Sequence, residues 1–91
     1  MRPKQIWIQT VEEIMDDPNT PMYAEQLGMT PFEVDDHLGT MLHILSDTEE
    51  KVEMYDLMNQ DLTSWSIISN IFKRFDAGHI FRDIEDWAFS F

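Results

Sequence analysis

Residues 28–33 read Gly-Met-Thr-Pro-Phe-Glu, a helix stop and a helix start within six positions. Glycine takes the left-handed backbone of a helix C-terminal cap at no steric cost. Thr30 with Glu33 makes a capping box, and Pro31 falls at the first helical position, where its missing N–H is not needed. No helix can run through this point, so a helical fold here is built from short pieces turned sharply on one another. Similar punctuation recurs at Asp16-Asp17-Pro18-Asn19-Thr20-Pro21, at Ser46-Asp47-Thr48, at Asp61-Leu62-Thr63 and at Asp76-Ala77-Gly78.

Between these marks the apolar residues keep helical spacing. Trp7, Val11 and Ile14 predict a first helix over residues 4–16, ended where Pro18 pushes its neighbour out of helical geometry. A short second helix covers residues 22–27. The third runs from Pro31 to about residue 45, with Phe32, Leu38, Met41, Leu42 and Leu45 on its stripe and Val34 and Ile44 flanking. A fourth, over residues 48–58, turns Val52, Tyr55 and Met58 one way and Glu49, Glu50, Glu53 and Asp56 the other. The fifth is capped by Asp61 or Thr63 and carries Trp65, Ile68, Ile71, Phe72 and Phe75. Its C-terminal end holds Lys73 and Arg74, where cations meet the negative pole of the helix dipole. The sixth carries Ile80, Phe81, Ile84, Trp87, Ala88 and Phe91. Two segments, 6–8 and 50–57, also admit a short strand, although glutamate is depleted in strands.

The stretch from Tyr23 to Leu38 resembles the helix-turn-helix pattern of many bacterial and phage regulators. Ala24 in the first helix, Leu27 and Gly28 at the turn, the Thr30 cap, and Val34 and Leu38 as core contacts carry the resemblance. Two short helices at a steep angle need a small residue, a glycine turn and a capped second helix. The expected fold is therefore all-α: a compact bundle of about five to six short helices, a single domain over residues 1–91. A helix-turn-helix-like tri-helical core is covered by an apolar C-terminal pair, with the acidic fourth helix between them. The 91 residues suffice for one core.

Charge narrows the function. The chain carries 18 acidic and six basic side chains, and no lysine or arginine occurs between Lys4 and Lys51. A helix that reads DNA needs donors for base edges and cations for phosphates. The exposed positions of the third helix are instead Glu33, Asp35, Asp36, Gly39, Thr40 and His43. Such a surface repels nucleic acid and anionic membranes and attracts basic surfaces. The expected partner is another protein with a basic surface, of the kind that itself holds nucleic acid. Glu33, Asp35, Asp36, Glu49, Glu50, Glu53 and Asp56 are the expected contact residues. The alternative is a DNA-binding regulator using residues 31–45.

The ending Glu-Asp-Trp-Ala-Phe-Ser-Phe resembles, in composition, the acidic–aromatic tails of small phage transcription co-activators and host-takeover proteins. That resemblance implies a phage-encoded regulator or inhibitor. The C-terminal third also holds more large apolar side chains than two amphipathic helices can turn inward. Ile67, Phe89 and Phe91 are expected at the surface, as a homodimer or partner contact.

Catalysis finds no motif. The chain has no cysteine and only three glycines, so it has neither a thiol nucleophile nor a glycine-rich phosphate loop. His37 and His43 are six residues apart and share no helix face, which argues against a metal site. No catalytic residue, cofactor or metal is expected. With no signal-peptide pattern and no long apolar run, the expected location is the cytoplasm.

Overall fold

A computed structural model describes residues 2–47 and 51–90, and every element among them is an α-helix. In chain order these are α1 (Lys4–Asp16), α2 (Thr20–Gln26), α3 (Pro31–Ser46), α4 (Lys51–Gln60), α5 (Leu62–Arg74) and α6 (Gly78–Phe89). Neither segment that admitted a strand forms one: residues 6–8 lie in α1 and residues 51–57 in α4.

The turns explain why the helices stop where they do. After α2, the Gly28 amide donates to the Glu25 carbonyl at 3.2 Å and the Met29 amide to the Ala24 carbonyl at 2.9 Å. That paired bonding is a Schellman motif, and it requires a left-handed residue, supplied by Gly28 at φ 92°. Met29, the residue after it, is buried against the core. Thr30 then caps α3: its hydroxyl accepts from the Glu33 amide at 3.1 Å, and the Glu33 carboxylate accepts from the Thr30 amide at 3.3 Å. The same motif ends α5, with Asp76 donating to the Lys73 carbonyl and Ala77 to the Phe72 carbonyl. Here the left-handed position falls on Asp76, at φ 55°, and not on the nearby Gly78, which begins α6.

Two further anchors are side-chain bonds. α2 begins at Thr20, two residues before the expected start, because a proline in the first turn costs the helix no hydrogen bond. Thr20 is buried, and its hydroxyl donates to the Ile14 carbonyl, tying the start of α2 to the end of α1. Between α4 and α5, Asp61 is the cap: it accepts from the Ser64 amide and the Ser64 hydroxyl. The Trp65 indole donates to the Leu57 carbonyl at 3.0 Å and locks that corner.

The helices pack as two trios. α1, α2 and α3 all touch one another, and so do α4, α5 and α6. The trios meet in nested order, α1 on α6, α2 on α5 and α3 on α4. α4 is therefore a full member of the second trio, lying chiefly on α6, and not a spacer between the two halves. One apolar cluster draws on all six helices, with Trp7, Leu38, Met54, Phe72, Phe81 and Ile84 among its largest members. The radius of gyration is 12.0 Å, matching the ~12 Å expected of a compact chain this long.

Two stripe assignments need correction. Phe32 is 80% exposed. It is six residues before Leu38, which at 3.6 residues per turn puts it away from the buried face of Val34, Leu38, Met41 and Leu45. Val52 is 51% exposed, and the buried face of α4 is Met54 and Met58, which are four apart.

The two Schellman turns predict substitutions of opposite sign. Gly28→Ala is expected to destabilise by about 1 kcal/mol, because alanine resists the left-handed backbone. Asp76→Gly relieves the same strain and is expected to stabilise, by less than about 1 kcal/mol because glycine also loosens the unfolded chain. Urea unfolding of both variants checks the pair; equal signs would contradict it.

Candidate functional site

The acidic side chains divide into those that hold the fold and those left facing water. Glu33 belongs to the first group. Its carboxylate also accepts from the Thr30 hydroxyl at 2.9 Å, so the residue is exposed but committed to its own cap. Asp61 caps α5, and the Ser64 hydroxyl and amide hold its carboxyl below the usual range.

Asp83 is the third acid with a structural task. It accepts from the Arg2 amide and the Arg2 guanidinium, each at 3.2 Å. These bonds, the backbone one first, lower its pKa. The buried Trp7 indole N–H is close enough to contribute weakly to that shift, without closing a hydrogen bond. Beside this clasp, the Trp7 and Trp87 rings meet at 5.7 Å, and the Lys4 ammonium lies 4.6 Å above the Trp87 ring. The α1–α6 seam thus takes up two of the chain's six cations. Arg74 donates to the Gln26 side chain and covers the Tyr23 ring on the α2–α5 seam, while Lys51 donates to the Ser90 carbonyl.

Among the described residues most of the remaining acids are exposed, Asp17 and Glu85 being half-buried. Asp35 and Asp36 face solvent on α3 and line a shallow groove of about 360 Å³ with Gly39, Thr40 and His43. Phe32, the most exposed large apolar side chain among the described residues, precedes Asp35 and Asp36 by three and four positions, so it shares their side of the helix. Glu53 and Asp56 are exposed on α4. Glu49, Glu50 and Phe91 lie outside the described residues. Among the described residues, Asp35, Asp36, Glu53 and Asp56 enter no ion pair.

A second acidic surface was not anticipated. Glu12, Glu13 and Asp16 are exposed on α1 and line an open trough with Gln9, Asp17 and Pro18. α1 packs on α3, and the Met15 methyl approaches Gly39, the middle of the α3 groove. The two helices that carry these acids therefore lie side by side. The signal was present in the first-helix spacing, which already turned Glu12 and Asp16 away from Trp7, Val11 and Ile14.

His37 does not face solvent with the acids. Its Nδ1 is 2.6 Å from the Glu33 carbonyl and its ring meets Trp65 edge-on at 5.4 Å. Among the described residues, no three histidine or carboxylate side chains converge as metal ligands. Of the expected apolar contact residues, Ile67 is half-buried against the core. Phe89 is 42% exposed and edge-on to Tyr55 at 5.1 Å. Among the described residues no helix is long and apolar enough to cross a membrane. Comparison with protein-family models, with curated proteins and with solved structures finds no match.

The Arg2–Asp83 clasp predicts a pH effect. A carboxyl whose pKa is lowered by folding adds stability above its unfolded pKa and loses it as pH falls through the folded value. Asp83→Asn is therefore expected to lower the melting temperature near about pH 7 and to make no difference near about pH 2. Thermal melts at both ends check this; an equal deficit at both would mean that packing, not charge, is lost.

Proposed function

We propose that this domain is a protein-binding regulator, acting as an inhibitor or adaptor, whose acidic α1–α3 surface docks on a basic surface of a partner protein. One observation carries the reading. The cations are largely drawn into the seams between helices, whereas Asp35, Asp36, Glu12, Glu13 and Asp16 stand exposed and unpaired among the described residues. A surface that keeps one sign of charge without local neutralisation steers oppositely charged partners and raises their association rate.

Phe32 supports the same reading. An aromatic side chain held in water beside two carboxylates gains by entering a partner's apolar pocket. The acids would set approach and orientation, and the ring would set residence. Duplex DNA does not fit such a surface, because phosphate binding draws its free energy from lysine and arginine. A phage origin and a partner that itself binds nucleic acid remain parts of this proposal.

The test begins with a partner isolated on the immobilised protein at low salt. Affinity is expected to fall steeply as ionic strength rises. Reversing Asp35 and Asp36 to lysine should slow association by tenfold or so, while leaving the melting temperature within a few degrees. Phe32→Ala should instead speed dissociation. An affinity indifferent to salt and to both charge reversals sinks the acidic-surface reading, and micromolar binding to duplex DNA at physiological salt would favour the rival.

A further inference from the structure

A second recess lies away from the α3 face, where the end of α4, the start of α5 and the last turns of α6 come together. Its volume is about 260 Å³, several times the roughly 30 Å³ share of one water. Buried Met58 and Trp65 form its floor. Leu62, 67% exposed, and Phe89 form an apolar rim. The rest of the lining is polar and nearly as extensive, and includes Ser66, Ser69 and one carboxylate, Glu85.

Glu85 is unlike the other carboxylates among the described residues. It is half-buried, it caps no helix, and among the described residues it forms no ion pair or hydrogen bond. Burial is the largest cause of its raised pKa, reinforced by Asp86. Arg82 and Lys73 are near enough to lower it slightly but do not reach it. Ser66 and Ser69 likewise have no hydrogen-bond partner among the described residues. A recess that sets apolar side chains beside an unpaired carboxylate and two serines matches a side chain with an apolar stem and a cationic head.

We infer that this recess receives an arginine side chain from a basic partner segment, its stem over Leu62, Met58 and Phe89 and its guanidinium on the Glu85 carboxylate and the serine hydroxyls. Arginine fits better than lysine. Its planar fork bonds a carboxylate through two N–H groups, it stacks on aromatic rings, and it gives up hydration more readily than an ammonium. The Phe89 and Trp65 rings supply the aromatic surface. This inference rests on the reading of the protein as a binder of basic partners, but it uses a different surface from the α3 face.

The probe is the blocked tripeptide acetyl-Ala-Arg-Leu-amide, with a control in which citrulline, the neutral isostere, replaces arginine. Amide shifts of the 15N-labelled full chain are followed during titration into the millimolar range. The expected result is saturable shifts centred on Leu62, Ser66, Ser69, Glu85 and Phe89, with the arginine peptide bound about tenfold more tightly than the control. Glu85→Gln should remove that difference without lowering the melting temperature, since folding raises the carboxyl's pKa and its charge is a cost at neutral pH. The double reversal of Asp35 and Asp36 should keep the difference. Equal affinity for arginine and citrulline, an unchanged preference in Glu85→Gln, or no groove shifts at all overturns the arginine site. Shifts centred on Asp35 and Asp36 overturn it too, while leaving the acidic-surface reading standing.

Discussion

Among the described helices only α3, at 16 residues, exceeds the length below which an isolated helix is marginal in water. The six run from seven to 16 residues, and isolated helices under ~12–15 residues are marginal even with ideal sequences. Stability must come from the apolar cluster they share. The nested packing makes that cluster continuous, because each helix of the first trio meets one helix of the second. The core residues of α1 and α6, Trp7 and Val11 with Ile80 and Ile84, close the two ends of the chain on each other. The Arg2–Asp83 clasp and the Trp7–Trp87 contact lie on that same α1–α6 seam.

The same closure partitions charge. Arg2, Lys4 and Arg74 are each held on a seam between the trios, against Asp83, Trp87 and the Gln26–Tyr23 pair. An arginine or lysine at a seam contributes through its stem as well as its charge. Cations used there are not available to neutralise α1 and α3. The acidic surface is thus partly a consequence of how the fold is fastened, and not only of an excess of aspartate and glutamate.

Much of this was legible from local chemistry. The capping box at Thr30 and the glycine stop at Gly28 are each written in a few adjacent residues, and α3 begins where the capping box puts it. What was not legible depended on three-dimensional neighbours. Phe32 looked like a core residue because it is apolar and near a stripe; only its angular position relative to Leu38 excludes it. Val52 was misassigned for the same reason, on a helix with no strong periodicity. Asp76 took the left-handed position although Gly78 stands two residues later, because the last bonded turn of α5 sets where the chain must reverse. The recess proposed for arginine had no sequence signal, since Leu62 and Ser66 come from α5 and Glu85 and Phe89 from α6, and only packing brings the two pairs together.

The α2–α3 turn bears on what a helix-turn-helix resemblance can mean. Every residue that carries it is used internally: Ala24 in the Schellman turn, Leu27 against the core, Gly28 for its backbone, Thr30 for the cap, Val34 and Leu38 in the core. These residues specify a bend between two helices and say nothing about the face turned outward. On α3 that face is Phe32, Asp35, Asp36, Thr40 and His43. The bend and the face are physically independent, since one is set by caps and burial and the other by exposed side chains outside the core. A turn of this kind can therefore present a surface that repels phosphate as readily as one that binds it, and the choice of partner lies wholly with the exposed side chains.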